Sequence, residues 1–187
     1  MQPGDIVYRY FATVGAFLLL APFPALAQER PRQPTTISPK SLAPTTFNEA
    51  TFVAKASSGG IHEVEMGKLA LAHASNGEVK KFGQMMVDDH SKANRQLMIA
   101  AKENGLSVAT KMSADQEKHY DLLKDMREGF DKAYIDHMVK DHEEDLAAFT
   151  AASRQAKTPA IKQFATDTIP VIQKHLDRAR ELQKIVK

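Results

Sequence analysis

Residues 105–129 read GLSVATKMSADQEKHYDLLKDMREG, and this stretch decides how the rest of the chain is wired. It begins and ends on glycine, and Ser113-Ala114-Asp115-Gln116 inside it has the serine-to-glutamine spacing of a capping box. The expectation is a short helix from there to near Gly129. Much longer segments with helical periodicity lie on either side. A link of this length can travel the full height of the helices it joins, whereas a tight turn returns the chain beside its start.

Before the link, Glu78 to Asn104 carries Val79, Phe82, Met86, His90, Ala93, Leu97 and Ala100 at the three-four spacing of a buried helix face, ended by Gly105. An earlier helix is expected from the capping box Thr46-Phe47-Asn48-Glu49 to Ser75, where Asn76-Gly77 stops it. Ser57-Ser58-Gly59-Gly60 interrupts that helix and predicts a kink or a close helix contact. After the link comes Phe130 to Ala156. Thr158-Pro159 opens the last helix, which is expected to bend at Pro170, where a backbone donor is missing. No segment alternates with period two between turn residues. The fold class predicted is all-α: a ferritin-like four-helix bundle with a short extra helix in its long crossover.

The ends of the chain read differently. Arg9, an apolar run from Phe11 to Leu20, and Ala25-Leu26-Ala27 form a secretory signal over residues 1–27, with cleavage expected after Ala27. The run is too short and too interrupted by proline to span a bilayer, so no stable membrane span is expected once the leader is removed. Gln28 to Thr46 holds four of the nine prolines and little to bury, as a disordered tether does. Residues 47–187 remain as one helical domain. The chain has no cysteine, which excludes disulfides, a lipid-modified N-terminus and zinc–thiolate sites. With a net charge of +2 and no basic stripe interleaved with aromatics, nucleic acid is not an expected partner. The expected location is the periplasm or outside the cell.

Met86-Val87-Asp88-Asp89-His90 recurs as Met138-Val139-Lys140-Asp141-His142. Each copy sets a methionine and a histidine four residues apart on one helix face, with an aspartate beside the histidine. His175 lies between Ile172 and Ala179 on an apolar stripe, and Glu63 shares a small-residue face with Ala56, Gly60, Gly67 and Ala70. These four residues, Glu63, His90, His142 and His175, fall near the middles of the four long helices. At 1.5 Å per residue they share one depth in a bundle. Three imidazoles and a carboxylate suit one transition metal, iron, manganese, zinc or copper, with Asp89 and Asp141 orienting neighbouring imidazoles.

Met86 and Met138 read as core, with thioether ligation of Cu(I) as the other use. Glu65, about 200° from Glu63 around the helix, faces elsewhere. His137 pairs with Asp141 one turn on or reaches solvent, His62, His73 and His119 read as surface residues, and Tyr134 reads as a buried hydrogen-bond donor. Glu-x-x-His occurs nowhere, and the layer offers one strong carboxylate where a di-iron centre needs four. A Gly-rich phosphate loop, a nucleophile elbow and a cysteine nucleophile are all missing. Three readings follow. The first is an exported metal-binding bundle, in metal handling or oxidative defence of the envelope, with no activity assigned. The second is a structural or stress-response envelope protein whose buried histidines pair with aspartates and hold no metal. The third is an enzyme with an unidentified small substrate, for which the sequence offers no pocket or nucleophile.

Gly59-Gly60, then Glu63-Val64-Glu65-Met66-Gly67-Lys68-Leu69-Ala70, Met86-Val87-Asp88-Asp89-His90, Phe130-Asp131-Lys132-Ala133-Tyr134, Asp141-His142, Ile169-Pro170 and His175-Leu176 occur in this order. The set resembles a bacterial family of exported, ferritin-like domains of unknown function, whose members are often labelled outer-membrane proteins. The resemblance covers residues 47–185. It implies a ferritin-like four-helix fold, an envelope location and acidic or histidine positions at Glu63, Glu65, His90, His142 and His175. It implies no activity.

Overall fold

The computed structural model describes residues 47–186; the leader and tether expected at 1–27 and 28–46 lie outside the described residues. Five α-helices follow one another: α1 (Glu49–His73), α2 (Gly77–Glu103), α3 (Ala114–Lys124), α4 (Phe130–Gln155) and α5 (Pro159–Gln183). No strand occurs among the described residues, and no helix there is long and apolar enough to cross a membrane.

Local chemistry sets the helix ends. Asn48, not Thr46, caps α1: its side chain accepts the Thr51 N–H at 2.8 Å, because an amide one residue from the first turn reaches that donor directly. Asn76 does the same for α2. Both halves of the Ser113–Gln116 capping box form at α3, but α3 ends at Lys124, short of Gly129. Gly129 instead precedes α4 with φ of 71°, a left-handed turn that glycine adopts without strain. α5 continues through Pro170.

Two polar contacts fix the wiring. The Asp131 carboxylate, at the start of α4, accepts from the N–H groups of Ser75 and Asn76 at 3.0 and 2.8 Å and from the Ser75 hydroxyl at 2.6 Å. The first turn of α4 therefore sits at the α1–α2 turn. At the other end, Glu49 accepts the Thr158 N–H at 3.0 Å, which sets the start of α5 beside the start of α1. Helices α1 and α5 thus run one way and α2 and α4 the other. Each long helix has two long neighbours, α1 and α5 both packing against α2 and α4, while α3 lies on α1 and α4.

The Ser57–Gly60 run does not end α1, which is helical throughout it; its Gly60 makes the expected close helix contact, where a Cβ would run into the Asn94 side chain of α2. Its serines hold the crossover. Ser57 Oγ accepts the Ala109 N–H at 2.7 Å, and Ser58 Oγ accepts the Ser113 N–H at 3.1 Å and donates to Gln116. Small residues then bring α1 and α2 together: a Cβ on Gly67 would sit 2.6 Å from the Gly83 carbonyl oxygen, and one on Gly83 would sit 2.8 Å from that of Gly67. Backbone meets backbone here, so a side chain forces the helices apart.

The core is divided. One apolar cluster includes Met66, Phe82, Met86, Tyr134, Met138 and Leu182, and a second includes Phe52, Leu97, Phe149, Ile161, Phe164 and Ile172. On every long helix the gap between the two clusters is filled by a buried polar residue: Glu63, His90, His142 and His175. The two clusters supply the hydrophobic stabilisation that a polar layer does not.

Candidate metal centre

The four residues read from the sequence as one layer do converge. Glu63 is 2 % exposed, His90 6 %, and His142 and His175 are fully buried. One ring nitrogen from each histidine lies within 4.8 Å of the other two. Glu63 Oε2 is 2.7 Å from His90 Nδ1, and Glu63 Oε1 is 3.6 Å from His142 Nε2. His90 Nε2 stands 3.2 Å from His175 Nδ1.

Following the protons shows what this layer lacks. Asp89 Oδ2 lies 2.8 Å from His175 Nε2, which donates to it, so the neutral His175 ring offers a lone pair at Nδ1. His90 Nε2–H donates to that lone pair, which leaves His90 Nδ1 as an acceptor towards Glu63. Glu63 satisfies it by carrying a proton: burial, then the nearby Asp141 carboxyl, raises its pKa well above the usual carboxylate range. On the far side, His142 Nδ1 donates to the Met138 carbonyl oxygen at 2.9 Å. His142 Nε2 is then a bare lone pair facing the second oxygen of Glu63. Both atoms are buried and neither has a hydrogen-bond partner. The chain of donors ends in two acceptors pointed at each other.

Burial, which disfavours the charged ring, lowers His90 to about 4 against the pull of Asp145, Asp141 and Asp89. It lowers His175 to about 4 as well, with His90 adding to the effect. His142 is driven down by burial and then by His90 and His175. The rings are therefore neutral near pH 7, which is the form that ligates a metal. Two further carboxyls crowd Glu63. Burial and Glu144 raise Asp141 to about 6, and burial followed by Glu63 and Asp141 raises Asp145. Asp145 escaped the sequence reading, although it lies three residues after His142 and four after Asp141, on the helix face they share. Among the described residues no lysine or arginine pairs with Glu63.

Several side chains depart from expectation. Asp141 does not orient His142, because the Met138 carbonyl, one helical turn back, already takes that ring's donor. Asp89 orients His175 of α5 and not its sequence neighbour His90. Tyr134 is buried, but its hydroxyl has no partner. His62 is not a surface residue: it is 1 % exposed, covered by the crossover. His119 is half-buried beside it, and His137 is 3.0 Å from His62 and only 4.0 Å from Asp141. His73 is exposed as read. Met86 and Met138 belong to an apolar cluster, as core residues do. Glu65 is bound to Lys68 at 2.7 Å, outside the layer.

The chain belongs to the family described as a domain of unknown function (DUF4142), whose model matches residues 33–182. No curated protein and no solved structure matches it.

Proposed function

We propose that this chain is an exported, ferritin-like four-helix bundle that holds one transition metal ion between its helices, for metal handling or oxidative defence of the envelope, and that it is a binding protein, not an enzyme. The ferritin-like reading is supported by the wiring: two antiparallel pairs, α1 with α2 and α4 with α5, joined by one crossover as tall as the bundle. Export is supported by the leader pattern in residues 1–27.

One observation carries the metal reading. Glu63 Oε1 and His142 Nε2, both buried and unpartnered, face each other at 3.6 Å. Two acceptors so placed repel, and leaving each unpaired costs about 1–3 kcal/mol. A cation about 2.0–2.2 Å from both relieves that cost. A bound ion supplies the positive charge that this layer of carboxyls and neutral imidazoles lacks. The chain's own residues do the positioning. Asp89 fixes the tautomer of His175 and the Met138 carbonyl fixes that of His142, so each ring has a lone pair inward: bare at His142 Nε2, and at His175 Nδ1 taken by the His90 N–H, which gives way before His175 ligates. Glu63 sheds its proton when it ligates. The apolar clusters above and below exclude water.

The rival, a metal-free structural protein, draws support from the Asp89–His175 bond. Asp145, raised in its turn and within hydrogen-bonding reach of Glu63, supports it as well, but the rival leaves His142 Nε2 without a partner. Elemental analysis of untagged protein from the periplasm, beside a His90→Ala/His142→Ala variant, decides between them. About one equivalent of metal in this layer, lost in the variant while helicity persists, is the expected result. Equal metal in both proteins, or none in the native one after exposure to Fe(II), Mn(II), Zn(II) and Cu(I), would sink the proposal.

A further inference from the structure

A second trio of imidazoles, which the reading above does not use, lies on a neighbouring face of α1. His62 comes from α1, His119 from α3 and His137 from α4. One ring nitrogen from each is within 4.8 Å of the other two. His62 Nε2 and His137 Nε2 are 3.0 Å apart, and the rings of His119 and His137 stack with centroids 3.8 Å apart. The Nδ1 atoms of His62 and His119 are buried without a partner. Unlike the inner layer, this trio borders a cleft of about 500 Å³ between α1, α3 and α4. Asp115, Asp136, Asp141 and Glu144 line the same cleft against Lys140, so its charge is negative on balance.

A purely structural trio would use its nitrogens on carboxylates or carbonyls. These histidines touch one another instead. Across the 3.0 Å contact one of His62 Nε2 and His137 Nε2 donates to the other, and a shared cation can take the place of that single proton. A tetrahedral ion with bonds of about 2.0–2.1 Å holds its nitrogens about 3.3 Å apart, close to the 3.0 Å between His62 Nε2 and His137 Nε2; His119, stacked on His137, must turn its ring for its lone pair to reach the same ion.

We infer that His62, His119 and His137 form a second, solvent-facing site for one divalent first-row transition cation, bound by three imidazoles with its remaining coordination position open to the cleft. Three protein ligands and an open position are what an exchangeable or water-binding ion requires. Imidazole ligands with no thiolate favour zinc, copper, nickel or iron over magnesium and calcium. Asp141 lines this cleft and also stands beside Glu63, so one carboxyl separates the two sites. The inference does not depend on the inner layer holding metal.

The test uses the full chain without a polyhistidine tag, stripped with chelator and titrated with Zn(II) against a competing chromophoric chelator. His119→Gln/His137→Gln should bind one Zn(II) fewer than the unaltered chain, whatever the Glu63 layer binds. With Co(II) in place of Zn(II), the visible absorption of four-coordinate, nitrogen-ligated ions should be smaller in the variant by the contribution of one ion, whatever the Glu63 layer adds. Should the variant lose helicity, ring-nitrogen NMR of the unaltered chain decides: Zn(II) should move the signals of His62, His119 and His137 together. Equal stoichiometry in a folded variant, or rings that do not respond in the unaltered chain, would overturn the assignment.

Discussion

His62 and Glu63 are consecutive residues on α1, yet they serve two regions that differ in almost every physical respect. Glu63 enters a layer closed above and below by apolar clusters, where carboxyl and imidazole groups are packed with two acceptors left facing each other. His62 enters a trio that borders an open cleft. A step of about 100° around the helix separates the two directions. The difference teaches that burial, not ligand type, sets what each site can do. The inner layer can hold an ion only by excluding water, and its geometry is fixed by four helices. The outer trio depends on the short α3, pinned to α1 by serine hydroxyls, and keeps contact with solvent.

The contrast can be broken most forcefully at Glu63. Glu63→Gln keeps the shape of the protonated carboxyl, its N–H taking over the bond to His90 Nδ1 while its carbonyl oxygen still faces His142 Nε2, so the metal-free protein should melt close to the temperature of the unaltered chain. The gain in stability on adding metal to the inner site should disappear, a loss of about 4 kcal/mol where the ion is present at about a thousand times its Kd. Thermal melts with and without metal read both effects, and the outer trio should bind as before.

Next in size is the α1–α2 seam. Gly67→Leu drives a side chain into the Gly83 carbonyl and should destabilise the fold by about 1–3 kcal/mol, measured by urea unfolding. It sharpens the comparison because it spreads Glu63 from His90, while the trio's helices, α1, α3 and α4, do not include α2. Inner binding should weaken more than outer binding.

Ser57→Ala acts the opposite way. It removes the acceptor of the Ala109 N–H at the start of the crossover and should cost about 1 kcal/mol. Hydrogen exchange should quicken along residues 106–124, with inner-site binding unchanged. Smallest of all is Glu78→Gln, remote from both sites. Hydrogen bonding and charge from Lys81, then Arg178, hold the Glu78 carboxyl below its usual range. Its folded pKa is the lower one, so the stability it contributes is present above the ordinary carboxylate range and fades as pH falls through the folded value. The variant should therefore differ from the unaltered chain near pH 7 and converge with it as pH falls through the lowered, folded value of the carboxyl, in urea midpoints taken at low salt.

The inner layer was legible because it rests on periodicity. His90, His142 and His175 sit on apolar stripes that define each helix alone, and helical rise then fixes their common depth. The outer trio was not, because no single helix carries its signal. His62 is buried by the crossover, and a pattern along α1 cannot say which groove a 25-residue link will cover. The clue lay in Ser57 and Ser58, polar residues on that same side of α1, read only as part of a kink or close helix contact when they also anchor the crossover. Caps showed the same limit: Thr46 and Asn48 both had the chemistry, and only the path of the chain selected Asn48. Tautomers, and hence the facing acceptors, depend on contacts between helices that no sequence pattern encodes.

The most direct test of the central claim is anomalous diffraction from crystals of the untagged, metal-replete protein, recorded on both sides of the absorption edge of the metal found. The account predicts a peak between α1 and α4, about 2.0–2.2 Å from both Glu63 Oε1 and His142 Nε2. A water molecule at that point, or the two atoms drawn apart onto partners of their own, would contradict it.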